Sequence, residues 1–92
     1  MAKNKSSINI YDYGVVRERS EGTLYLMRKS PTTPGWAEEV AVRLDCGWVK
    51  TPDNQSKYMV LQSHVTWAEE ANRSELIKIL EEAEKNVSVS SF

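Results

Sequence analysis

The stretch WAEEVAVRLDCGW, residues 36–48, decides the fold class, because its pattern fits either a strand or a helix. As a strand, it places five apolar residues on one face: Val40, Val42, Leu44, Cys46 and Trp48. As a helix, it would be capped by Thr33 and ended by Gly47, but those apolar residues would be spread around the cylinder. We therefore predict a strand over residues 36–48, with room for a short helical turn at residues 34–39.

The segments before this stretch predict a β-hairpin. Residues 8–16 and 23–27 are both rich in β-branched and aromatic side chains, which favour strands. The polar residues 19–22 between them end in Gly22, which supplies the positive φ that a tight turn requires. Gly14 interrupts the first of these strands and indicates a bulge there. The two strands and the short turn between them are expected to pair in antiparallel fashion.

An amphipathic helix near the C-terminus is the clearest predicted element. Its apolar residues recur at helical spacing and fall on one face: Leu76, Ile77, Ile79, Leu80 and Ala83. This stripe predicts a helix over residues 74–85. Thr66 and Glu69 have the spacing of a capping box, in which each side chain satisfies a backbone N–H of the first turn. We therefore expect residues 67–73 to extend the helix toward the N-terminus.

The predicted elements together define the fold class. Residues 57–65 are rich in apolar and β-branched side chains and predict a fourth strand. The chain is thus predicted to be an α+β protein, with an antiparallel sheet of about four strands packed against one C-terminal amphipathic helix. We expect a single domain over residues 8–86, a disordered tail at residues 1–7 and a flexible tail at residues 87–92.

The sequence gives no indication of a membrane or an export signal. It contains no run of 18 apolar residues, which is about the length that a membrane-spanning helix needs. The basic residues 1–7 are not followed by the apolar stretch of a secretory signal. The single cysteine cannot form an internal disulfide bond, and this fits a reducing compartment. We therefore expect a cytoplasmic protein without membrane association.

The residues that enzymes use for catalysis are scarce in this chain. Cys46 is the only cysteine and His64 the only histidine. Cys46 is expected to be buried on the apolar face of its strand, where a thiol behaves as a small hydrophobic group. The adjacent glutamate pairs are expected to lie on solvated faces and to point apart, and the four glycines are too far apart for a phosphate-binding loop. We predict no catalytic residues, no metal site and no cofactor, and hence no enzyme.

The first hairpin carries the residues that best suit binding. The net charge is −1, but residues 1–30 hold six Lys or Arg against three Asp or Glu, whereas residues 31–92 hold six against ten. Tyrosine, tryptophan and arginine are also enriched at the energetic centres of protein interfaces. The candidate partner-binding residues are Tyr13, Arg17, Arg19, Tyr25, Arg28, Lys29 and Trp36.

Two hypotheses about function follow from these residues. The first is a small regulator or inhibitor that binds a protein partner through the sheet face around Tyr25 and Arg28. Because many small proteins of this kind come from phages or mobile elements, such an origin belongs to the first hypothesis. The second is a nucleic-acid-binding module, in which the basic groups meet phosphates and the rings stack on bases. Uncovered sheet edges also suggest a homodimer.

Overall fold

A computed structural model describes residues 9–86, which form one antiparallel sheet and one α-helix. The strands are β1 (Tyr13–Arg17), β2 (Leu24–Lys29), β3 (Trp36–Leu44), β4 (Gly47–Lys50), β5 (Met59–Leu61) and β6 (Thr66–Trp67). The helix α1 spans Arg73–Lys85, and single turns of 3-10 helix lie at Ile10–Asp12 and Gln62–His64. The predicted α+β class with a C-terminal helix is therefore confirmed. The predicted tails, residues 1–7 and 87–92, lie outside the described residues, as does Ile8.

The sheet has six strands rather than the predicted four. Its order is β4-β3-β2-β1-β6, and β5 pairs with β3 beyond the end of β4. The predicted strand over residues 36–48 is in fact the hairpin of β3 and β4, which turns at residues 45–46 next to Gly47 with φ of 120°. The predicted strand over residues 57–65 is shortened to β5 and ends in the 3-10 turn at residues 62–64. β6 follows at the other edge of the sheet, where a capping box and a helix extension were predicted.

The predicted buried face of β3 is wrong beyond Val40. Leu26 of β2 lies opposite Ala41 and Met27 lies opposite Glu39, so Val40 has no partner and forms a β-bulge. A bulge shifts the alternation of side chains between the two faces of a strand. As a result Leu44 is exposed. Cys46 is exposed because it lies in the turn after β3, whereas the predicted burial of Trp48 is confirmed.

The first strand and the helix both begin later than predicted, because asparagine side chains form hydrogen bonds with the local backbone. The first strand begins at Tyr13, because Asn9 accepts hydrogen bonds from the N–H groups of Tyr11 and Asp12 and closes a 3-10 turn. The helix begins at Arg73, and the predicted capping box does not form. Instead, the Asn72 side chain accepts a hydrogen bond from the N–H of Glu69 at 2.6 Å, which holds residues 69–72 in a turn.

Two apolar clusters lie on opposite faces of the sheet. The first packs Leu26 and Trp48 against the predicted stripe of α1, of which Leu76, Ile79, Leu80 and Ala83 are buried. The second contains Met27, the next residue along β2, together with Ala37 and Val65. Because successive side chains of a strand point to opposite faces, the second cluster lies on the face away from α1. Within residues 9–86, no helix has the length and apolar character needed to cross a membrane.

Candidate functional site

The candidate residues of the first hairpin do not form one surface. Tyr13 lies opposite Arg28 in the ladder between β1 and β2, and Tyr13 packs against the cluster beneath α1. Tyr25 lies opposite Val16, and both pack against the cluster on the other face. The predicted sheet face around Tyr25 and Arg28 is therefore divided, because the two residues are an odd number of positions apart on one strand and point to opposite sides.

A stacked pair of tyrosines is the main feature of the sheet face opposite α1, which no helix within residues 9–86 covers. The ring centroids of Tyr25 and Tyr58 are 4.5 Å apart, with 25° between the ring planes. Both side chains are half-buried, and Val16 and Val60 pack against the same cluster. Offset stacking of this kind contributes about 1 kcal/mol beyond the area that the rings bury. The pair is thus a rigid aromatic platform that still presents part of its surface to solvent.

A shallow pocket of about 340 Å³ lies beside the tyrosine pair. Its lining combines apolar and basic side chains: Val16, Arg17, Arg19, Tyr58, Val60 and His64. Arg19 and His64 are exposed and come from separate loops, one after β1 and one from the 3-10 turn after β5. We name the surface formed by Val16, Tyr25, Tyr58, Val60 and Arg19 the tyrosine face. Only Tyr25 and Arg19 of this surface were predicted as binding residues from the sequence.

A buried carboxylate holds Tyr58 in place behind this surface. The Glu39 side chain is only 9% exposed and accepts hydrogen bonds from the hydroxyl of Thr51 and from the N–H of Tyr58, the latter at 2.9 Å. The N–H of Glu39 in turn donates to the carbonyl of Tyr58 at 2.9 Å. Glu39 therefore closes the gap in the sheet between β4 and β5. The prediction that Glu38 and Glu39 lie on a solvated face is wrong, since Glu39 is buried and the side chain of Glu38 is only 15% exposed.

Carboxylates lie close enough to Tyr25 to affect its hydroxyl. Burial raises the pKa of Tyr25 above its ordinary value, and the negative charges of Glu39, Glu18 and Glu21 raise it further. These carboxylates disfavour the negative charge that the Tyr25 hydroxyl would carry after losing its proton.

Most of the predicted basic residues are occupied by contacts within the chain. Arg28 forms an ion pair with Glu38 at 2.5 Å, and this partner raises the pKa of the guanidinium. Lys29 lies 3.8 Å from Asp12 and 5.4 Å from the ring centre of Trp67. The guanidinium of Arg17 donates to the carbonyl of Gly22 at 3.0 Å. Of the basic residues predicted for the hairpin, Arg17 and Arg19 are exposed and make no ion pair among the described residues.

Trp36 lies apart from the tyrosine face. It is 37% exposed and pairs with Leu61 where β3 meets β5. Its strand neighbour Ala37 and the residue paired with Ala37, Val60, pack on the tyrosine face, so Trp36 points to the face of the sheet that carries α1. It therefore cannot contribute to the same contact as Tyr25.

A second cleft, of about 400 Å³, separates the N-terminal half of α1 from the sheet. Its apolar wall includes Leu24 and Trp48, and its polar lining includes Arg17, Arg43 and Glu75. Because charges of both signs line this cleft, its electrostatics favour neither an anionic nor a cationic ligand.

The exposed thiol of Cys46 corrects a prediction made from the sequence. Cys46 lies in the turn between β3 and β4 and is exposed, not buried. His64 lies in the 3-10 turn that lines the pocket beside Tyr58. Among residues 9–86, no three histidine, cysteine or acidic side chains come together as a metal site would require.

Comparisons with protein-family models, with characterised proteins and with solved structures find no match for this chain. Fold and site together define an α+β protein with an aromatic face on the uncovered side of its sheet.

Proposed function

We propose that this chain is a non-catalytic protein-binding module that acts as a regulator or inhibitor by covering part of a partner's surface. The tyrosine face is its binding site. The observation that carries the proposal is the stacked pair of Tyr25 and Tyr58, half-exposed on the side of the sheet without a helix. Tyrosine provides a large contact area at low cost in conformational entropy, because the side chain has few rotatable bonds.

The surroundings of the pair favour a protein partner over a nucleic acid. A nucleic-acid site needs several free cations along the path of the backbone. Arg28 and Lys29 are paired with Glu38 and Asp12, which leaves two cations without an ion pair among the described residues beside the tyrosines, Arg17 and Arg19. The carboxylates that raise the pKa of Tyr25 add negative charge to the same area. Nucleic-acid binding therefore remains the alternative, and its salt dependence distinguishes it.

The proposed site of action is the cytoplasm. The free and exposed thiol of Cys46 fits a reducing compartment, where such a group is not oxidised to an intermolecular disulfide. An origin in a phage or mobile element stays part of this proposal.

The proposal predicts that Y25A weakens partner binding at least about tenfold, as expected for an aromatic residue at the centre of an interface. The partner is first identified by cross-linking from a photoreactive amino acid placed at position 19, with position 43 as the reference. Calorimetry with the purified partner then compares wild type, Y25A and R19E. The matched control is R43E, since Arg43 is also exposed but lines the cleft beneath α1.

Two results would contradict this proposal. One is equal loss of affinity in R43E and R19E, because that pattern reflects overall charge and not the tyrosine face. The other is binding of a single-stranded oligonucleotide that weakens steeply with salt, since counterion release marks phosphate contacts. Thermal melts of each variant show whether Y25A keeps its fold. If Y25A unfolds, R19E still tests the tyrosine face, because the Arg19 side chain is exposed.

A further inference from the structure

The three edge strands of the sheet differ in how their outward backbone groups are satisfied. On β4, the N–H of Trp48 donates to Glu82 at 2.9 Å, and its carbonyl accepts from the Asn86 side chain at 3.1 Å. The N–H of Lys50 donates to the Asn86 carbonyl at 3.0 Å. On β6, the carbonyl of Trp67 accepts from the Asn72 side chain at 3.4 Å. Residues of α1 or at its ends thus cover both of these edges.

The edge of β5 has no such cover among residues 9–86. The carbonyl of Tyr58 accepts from the N–H of Glu39, and the N–H of Gln62 donates to the carbonyl of Gly35. Because alternate residues of an antiparallel strand bond to the same neighbour, Val60 also bonds to β3. The N–H and carbonyl groups of Met59 and Leu61 therefore point outward.

An apolar patch borders this open edge. Met59 is 39% exposed, Leu61 is 41% exposed and Trp36 is 37% exposed. The register pairs Trp36 with Leu61, and Met59 lies two residues from Leu61, so the three side chains share one face. Edge strands of monomeric proteins are commonly protected by short length, lysine, proline or a bulge. β5 has three residues and contains no lysine, proline or bulge, so its short length is its one protection of this kind.

We propose that two copies of this chain form a symmetric dimer by antiparallel pairing of their β5 strands. The twofold axis passes between the two Val60 residues and runs perpendicular to the sheet. Met59 of each copy then lies opposite Leu61 of the other. The two opposed residues donate to and accept from each other through their backbone N–H and carbonyl groups. The two sheets become one continuous sheet.

A second copy of the chain is the partner that fits the edge of β5 best. The two outward residues, Met59 and Leu61, are equally distant from Val60, so the same strand in reverse orientation satisfies every outward group. The twofold axis keeps both patches on one side of the sheet, where the exposed Trp36, Met59 and Leu61 of the two copies form a single apolar cluster. The strand carries no charge, so pairing with itself brings no like charges together.

The dimer leaves the tyrosine face free. Tyr58 and Val60 pack on the side of the sheet opposite Met59 and Leu61, so both tyrosine faces lie on one side of the continuous sheet. Each dimer would therefore present two copies of the proposed binding site. The dimer and the protein-binding function are separate proposals, since Y25A and R19E do not touch β5 pairing.

A symmetric disulfide at position 60 tests the register directly. The two Val60 residues form a pair without mutual hydrogen bonds, with Cα atoms about 4.5 Å apart. This separation lies within the range that a disulfide spans. We expect V60C in a C46S background to become a covalent dimer under mild oxidation, as seen by non-reducing electrophoresis. The control is M59C in the same background, because in this register the two Met59 residues lie about 8 Å apart.

The oligomeric state in solution is the second readout. Sedimentation velocity of the wild type is expected to give twice the chain mass of 10.5 kDa, and L61K is expected to give the monomer mass. The matched control is L44K, since Leu44 is another exposed leucine, 48% exposed, on the opposite end of β3. A wild type that stays monomeric at all concentrations, or a dimer that persists in L61K, would overturn the proposal. Equal cross-linking of M59C and V60C would overturn the register.

Discussion

Replacing Gly14 with alanine will lower the free energy of unfolding by about 3 kcal/mol, which is the upper part of the range for an overpacked site. A Cβ atom at this position would lie 2.6 Å from the carbonyl oxygen of Thr66, 2.7 Å from a methyl group of Val65 and 2.9 Å from the Cα of Trp67. Two of these three atoms belong to the backbone of β6, so no change of rotamer relieves the contact. The substitution must displace β6 from β1.

The matched control for this prediction is G35A. Gly35 has a φ of 86° and no atom within 4 Å of an added Cβ, so only the backbone conformation opposes the substitution. Its expected cost is about 1 kcal/mol, the usual penalty for a left-handed L-residue. Urea denaturation followed by tryptophan fluorescence measures both variants. If G14A is no less stable than G35A, then β6 does not approach β1 as closely as described.

Gly14 also shows where prediction from the sequence reaches its limit. Its presence in the first strand was interpreted as a bulge, whereas glycine is needed there because the neighbouring strand β6, paired with β1, approaches it closely. The bulge that does exist lies at Val40, a residue that local pattern gave no reason to single out. Periodicity predicted the helix stripe and the turn at Gly22, since both depend on neighbours in the sequence. It could not predict register, which depends on pairs of strands.

The candidate site was predictable only in part for the same reason. Tyr25 and Arg19 were identified from residue type, but Tyr58 was missed, because nothing local places it beside a tyrosine 33 positions earlier in the sequence. Arg28 was expected on the same surface, yet its strand position and its ion pair with Glu38 place it on the face of α1. Strand alternation, applied strictly to residues 24–29, would have separated Tyr25 from Arg28. The ion pair itself depends on the pairing of β2 with β3.

Replacing Glu39 with alanine is expected to cost about 3 kcal/mol of stability, because it leaves two buried donors without an acceptor. The donors are the Thr51 hydroxyl and the N–H of Tyr58, and both belong to the segment that joins β4 to β5. Loss of this anchor also frees Tyr58 from its position against Tyr25. We therefore expect E39A to weaken partner binding even at temperatures where the variant is still folded.

The variant E39Q distinguishes loss of hydrogen bonds from loss of charge. The glutamine carbonyl can accept from the N–H of Tyr58, and its amide can donate to the Thr51 hydroxyl, which is able to accept. E39Q should thus lose only about 1 kcal/mol, the usual net value of one altered hydrogen bond. In a T51V background the amide of E39Q finds no acceptor, and the loss should approach that of E39A. Urea midpoints at unchanged m-value provide the comparison. Should E39Q prove as unstable as E39A, the carboxylate would act through its charge, and the segment joining β4 to β5 would be held by electrostatics rather than by hydrogen-bond geometry.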